Sequence, residues 1–165
     1  NSSVCGLKGE ATATNSIVLG GNAHDDNLSE RQSVQLMYGT QTTAGVTVDS
    51  YLNNTTDIYL SIPTDTIMYF HADVIAVRVG GTSETGDLGD YASWVERGVV
   101  INKSGTLSIQ RERDAIKSSG TVTNWRPVAA VDGTNFVMTV RGNADTTIEW
   151  NSNITFTQIK TGVAL

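Results

Sequence analysis

Apolar and polar residues alternate along most of this chain, and the longest clean run is TNFVMTVRGNADTTIEWNSNITFTQIK, residues 134–160. Phe136, Met138 and Val140 fall on one face, followed by Ile148 and Trp150 and then Ile154 and Phe156. Alternation with a period of two puts successive side chains on opposite faces of a strand, so one face can be buried while the other stays wet. Two turn signals interrupt the run, Gly142-Asn143-Ala144-Asp145 and Asn151-Ser152-Asn153. Their residues tolerate left-handed backbone, and they predict an antiparallel meander of three strands.

The same pattern predicts strands at 33–39, 45–51 and 56–62, the last ending at Pro63, which lacks a donor and suits a strand end. The apolar stretch 66–79 exceeds a mean strand, and a bend or bulge is expected near residues 71–73. Residues 80–90, GGTSETGDLGD, read as an exposed, flexible loop between this strand and its hairpin partner at 91–103. A turn at 102–105 leads to a strand at 106–113, and 111–124 reads as a charged connection with one helical turn. Strands at 125–131 and 134–141 flank Asp132-Gly133, a two-residue hairpin signal. Residues 1–32 hold few large apolar groups and are expected to be extended, or ordered only against other chains. The chain thus divides into an extended N-terminal segment, 1–32, and a domain at 33–165. About ten short strands predict an all-β antiparallel sandwich of jelly-roll type.

Composition agrees, with charged residues at only 17% and Thr, Ser, Asn and Gly abundant. The formal net charge of −6 argues against nucleic acid, which needs a basic surface. The one cysteine, Cys5, can form neither an intrachain disulfide nor a cysteine-based metal site. No apolar run approaches the roughly 18–20 residues of a membrane-spanning helix, so no membrane insertion is expected. The start at Asn1 suggests a processed product or a fragment of a longer polypeptide.

Candidate chemistry is sparse. His24, Asp25 and Asp26 could ligate a metal but read better as a solvated acidic turn, and no metal or cofactor is expected. His71 and Asp73 share a strand face two residues apart and read as a polar spot on a sheet. Glu84, Asp87 and Asp90 gather acids in the 80–90 loop, where they could meet a cation or ligand. A glycosidase needs two carboxyl groups held rigidly across a cleft, which a glycine-rich loop does not predict. Trp150 is in phase with Ile148 and reads as core. Trp94, on a face shared with Glu96, and Trp125, beside Arg126, remain open as ligand or partner contacts.

Two stretches carry a family resemblance: YFHADVIAVRVGG continuing to DYASWVERGVVINKSGTLSI (69–109), and WRPVAAVDGTNFVMTVRGNADTTIEW (125–150). Together they resemble a C-terminal β-domain of tailed-bacteriophage tail fibres, tailspikes and appendages. The resembling phrase at the end is Val140-Arg141-Gly142 followed by Thr147-Ile148-Glu149-Trp150. The resemblance implies a homotrimeric, non-enzymatic virion structural protein in a tail fibre, an appendage or the head surface. It would contact other virion proteins and a host cell-surface glycan or protein. Alternatives are a capsid-decorating or head-fibre protein of similar fold, a depolymerase or self-cleaving module with a site between subunits, and a bacterial adhesin or carbohydrate-binding module.

Overall fold

Eleven strands and no helix make up the described residues of the computed structural model, namely 1–21, 30–83, 85–119, 122, 124–161 and 165. They are β1 (Ser3–Cys5), β2 (Ile17–Gly20), β3 (Arg31–Thr42), β4 (Thr47–Leu52), β5 (Leu60–Ser61) and β6 (Thr66–Gly80). After them come β7 (Tyr91–Lys103), β8 (Thr106–Ser118), β9 (Arg126–Asp132), β10 (Asn135–Arg141) and β11 (Thr147–Lys160). The sheet runs β5-β10-β4-β3-β11-β6-β7-β8, with β9 on the far side of β10 and β2 and β1 added beside β3. All pairings are antiparallel except β1 with β2. The all-β antiparallel class expected from the periodicity is the one observed.

The layers are parts of one curled sheet. β4 pairs with β3 only at Tyr38↔Leu52 and Gly39↔Tyr51, then with β10 from Thr47 to Ser50. This shared strand carries β10 across the core from β3, β11 and β6. Phe136 of β10 meets Phe70 of β6 at 5.2 Å, Phe156 of β11 at 5.0 Å and Tyr38 of β3 at 6.2 Å between ring centroids. Edge-on ring pairs of this kind add about 0.5–1.5 kcal/mol beyond the area they bury.

The curl closes at Glu96. This carboxylate is fully buried, and its Oε2 accepts the main-chain N–H of Ala129 in β9 at 2.9 Å. Its Oε1 accepts from the Arg111 guanidinium of β8 at 2.9 Å, while Arg113 donates to the carbonyl of Pro127 at 2.7 Å. The β7–β8 end of the sheet is thereby fastened to β9 by side chains where no ladder forms.

Several sequence expectations are corrected. β11 is unbroken through Asn151-Ser152-Asn153, because these residues pair with β3 on one side and β6 on the other. β6 is unbroken at residues 71–73, and its irregularity lies opposite Thr147 and Ile148. Residues 111–118 continue β8 as a strand, since the ladder with β7 overrides a charged sequence. The 56–62 strand shrinks to β5, because Asn53, Asn54 and Asp57 adopt left-handed backbone at φ 53°, 55° and 62°. Residues 17–20 pair with β3 of the same chain and bury Val18 completely. The turn expected at 102–105 holds, and the one at Asp132-Gly133 shifts by one residue. Asp132 ends β9 and pairs with Asn135 across Gly133 and Thr134, while Lys103 pairs with Thr106 across Ser104 and Gly105, at φ 50° and 91°. Positive φ at both central residues is the twist a two-residue hairpin needs.

Candidate functional site

On the outward face of β11, β6, β7 and β8, the ladders align residues that are far apart in sequence. Thr155, His71, Arg97 and Glu112 form one row; Asn153, Asp73, Val95 and Asp114 form the next; Thr157, Tyr69, Val99 and Gln110 flank them. His71 Nε2 and Asp73 Oδ1 lie 3.2 Å apart. The Arg97 guanidinium stands 3.6 Å from Glu112 and 3.3 Å from Asp114. Exposed pairs of this kind add at most about 1 kcal/mol of stability, so the charged row is poorly explained as a fold device.

An open groove of about 490 Å³ runs over the main chain of Gly98, with Tyr69, Arg97 and Val99 on one side and Gln110 and Glu112 on the other. A Cβ at Gly98 would run into the carbonyl oxygen of Gln110, so glycine is what lets β8 approach β7 this closely. The groove offers a half-exposed tyrosine ring, a guanidinium, a carboxylate and an amide, all mounted on strands. Such a set supplies an apolar face, donors and acceptors in fixed positions. The sequence reading missed it, because Tyr69, Arg97 and Gln110 are ordinary outward-phase residues until the register joins them.

The expected site residues lie elsewhere. Trp94 and Trp125 are not exposed platforms: they are 7% and 5% exposed and pack around Trp150. Trp94 stacks on Trp150 at 5.7 Å with 21° between planes, and Trp125 lies 6.1 Å from Trp150. Trp150 Nε1 donates to Thr42 Oγ1 at 3.0 Å. The face that Trp94 shares with Glu96 is the inner one, because Glu96 is itself a buried, partnered carboxylate.

The 80–90 loop is organised by Arg78, which is 5% exposed. Its guanidinium donates to the carbonyls of Gly80, Ser83, Thr85 and Gly86 at 3.2, 2.8, 2.9 and 2.7 Å. Asp90 Oδ2 accepts the main-chain N–H of Asp87 at 2.9 Å, so this carboxylate serves the turn itself. Asp87 is exposed, while Glu84, like His24, Asp25 and Asp26, lies outside the described residues. Among the described residues no three acidic, histidine or cysteine side chains converge as a metal site.

No family model matches this chain, and no curated protein matches it. Among solved structures it is similar to part of the tailspike protein of Acinetobacter baumannii phage AM24, at 7% identity and a TM-score of 0.46. That match covers 80% of this chain and 27% of the tailspike. It is also similar to tailspike protein gp49 of Acinetobacter baumannii bacteriophage Fri1, a capsular polysaccharide depolymerase, at 8% identity and a TM-score of 0.35. That match covers 84% of this chain and 19% of the other, so the chain spans less than a third of either tailspike.

Proposed function

We propose that this chain is a non-enzymatic binding domain of a bacteriophage virion, part of a trimeric fibre or appendage, that attaches to a host cell-surface glycan through the groove over Gly98. The observation that carries this reading is the groove's composition. The ring of Tyr69 suits the C–H face of a sugar, Arg97 and Gln110 donate to hydroxyl oxygens, and Glu112 accepts from hydroxyl hydrogens.

The virion assignment is supported by the phrases that resemble phage fibre domains. Val140-Arg141-Gly142 and Thr147-Ile148-Glu149-Trp150 flank the β10–β11 connection, and Val140, Ile148 and Trp150 enter the core from it. Trimer formation is supported by Ile17, Leu19 and Met37, which share the outward face of β2 and β3 at 51%, 56% and 48% exposure. Apolar side chains gathered this way commonly mark a protein contact.

Two measurements test the reading. Light scattering on a sizing column across a dilution series should give the mass of three chains, and a monomer at every concentration would remove the trimer. A glycan array probed with the labelled chain should show binding that Tyr69→Ala and Arg97→Ala each reduce. An array without hits, or hits indifferent to both variants, would remove the groove. Release of new reducing ends from a bound glycan would overturn the non-enzymatic assignment.

A further inference from the structure

Next to the Gly98 groove, farther along β6 and β7, lies a second open groove of about 460 Å³ with a different character. Its walls are Ile75, Val95 and Ile116, and its rim holds Asp73, Asn151 and Asn153. Ile116 is there because of a β-bulge. Ser93 pairs with Lys117 and Trp94 with Ala115, which leaves Ile116 as the unpaired extra residue of β8. A bulge re-aims one side chain, and this one turns an isoleucine out at 62% exposure beside Ile75 at 47%. Two branched aliphatic side chains facing water inside a concavity call for an apolar group to cover them.

The rim narrows what that group can be. Gln35 Nε2 donates to Asn153 Oδ1 at 2.9 Å, which orients the amide and leaves Asn153 Nδ2 as a donor. Asp73 meets His71 through Oδ1 alone, and a carboxylate has further acceptor capacity. A methyl group on the aliphatic walls, a carbonyl facing Asn153 and an N–H facing Asp73 together describe an acetamido group. An anionic sugar is disfavoured, because the charged side chain lining this groove is that of Asp73. Val95 and Val99 are four residues apart on β7, roughly 14 Å at strand rise, so one short oligosaccharide laid along the strands spans both grooves.

We propose that this second groove is an acyl subsite that reads the N-acetyl group of a neutral amino sugar in the same oligosaccharide. It rests on the reading of the Gly98 groove as a glycan site. The test uses the whole chain and matched short oligosaccharides of the gluco, galacto and manno series, each carrying either a 2-acetamido or a 2-hydroxyl group. Saturation-transfer NMR should show its strongest signal at the acetyl methyl, and titration should favour at least one acetamido member over its hydroxyl twin by roughly tenfold or more. Ile116→Asp, at an exposed bulge, should erase that preference, and Asn153→Ala should weaken it. Tyr69→Ala should instead weaken acetamido and hydroxyl sugars alike. Equal binding of every matched pair, a preference that survives Ile116→Asp, or tighter binding of a uronate oligomer would overturn the acyl subsite and leave the Gly98 groove standing. Binding of no member overturns the subsite too, while the glycan array separately decides the Gly98 groove.

Discussion

The Oε2 atom of Glu96 accepts the main-chain N–H of Ala129 at 2.9 Å, so a buried side chain of β7 fills a place on the edge of β9 that no strand fills. Its other oxygen holds Arg111, which is 35% exposed as a side chain. Removing one partner of a buried pair leaves the other charge or donor uncompensated. Glu96→Ala should therefore lower the unfolding free energy by about 3–5 kcal/mol. Arg111→Ala should cost at least as much, because it leaves the fully buried Glu96 carboxylate with the Ala129 N–H alone, whereas Glu96→Ala leaves a guanidinium that reaches solvent. Urea unfolding of both variants checks the order, and a clearly smaller cost for Arg111→Ala would refute the seam.

Trp150 forms the centre of the tryptophan cluster, stacked on Trp94 and beside Trp125. Trp150→Ala should cost about 3–5 kcal/mol, as expected for a large side chain lost from a packed core. Near-UV circular dichroism should change with it, since a stacked indole pair is broken. A melting temperature that barely moves would mean the ring is not buried.

Arg78 should not be replaceable by lysine. A lysine is a single charged point, whereas the guanidinium fork reaches the carbonyls of Gly80, Ser83, Thr85 and Gly86 together. Arg78→Lys should cost about 1–3 kcal/mol. It should also speed proteolytic cleavage within residues 80–90 relative to the rest of the chain. Unchanged cleavage kinetics would show that the loop holds its shape without the guanidinium.

Tyr38 offers a test at alkaline pH. Its hydroxyl accepts the N–H of Leu60 at 2.8 Å, and burial raises its pKa well above the ordinary 10.0, against a smaller lowering from that bond. Below pH 10.0 the phenol is protonated in both folded and unfolded chains, and its contribution to stability is fully present. Above it the unfolded chain releases the proton first, so stability falls as pH rises towards the folded value. Tyr38→Phe should cost about 1–3 kcal/mol near neutral pH, because the Leu60 N–H loses its acceptor. It should also flatten the alkaline decline seen in urea midpoints from about pH 9 to about pH 11. An equally steep decline in the variant would place the effect on other tyrosines.

Much of the fold follows from local chemistry. Period-two alternation marks Phe136, Met138, Val140, Ile148, Trp150, Ile154 and Phe156 as inward, and all seven are buried. The turn at 104–105 follows from residues that accept the backbone a tight hairpin demands, while the hairpin at Gly133 lies one residue later than Asp132-Gly133 suggested. Alternation misleads where a polar residue faces the core. Glu96, Arg78 and Ser152 are all buried, so the faces carrying Trp94 and the centre of β11 looked wet or broken in sequence.

What the sequence determined by itself is therefore the all-β class, most strand positions and the side chains that pack the core, because these depend on the two-residue pleat and on turn residues acting within a few positions of one another. Only the tertiary structure decided which polar residues are inside, since the buried Glu96 carboxylate is tolerated because the distant Ala129 N–H meets it, and the buried Arg78 guanidinium because the fold of the following loop turns the carbonyls of Gly80, Ser83, Thr85 and Gly86 towards it. It also decided the outward surface. Tyr69, Arg97 and Glu112 become one groove only through the β6–β7 and β7–β8 registers, and Ile116 joins Ile75 only through a one-residue bulge. A register is a property of strand pairs, set by the whole curled sheet, and no single stretch of the chain carries it.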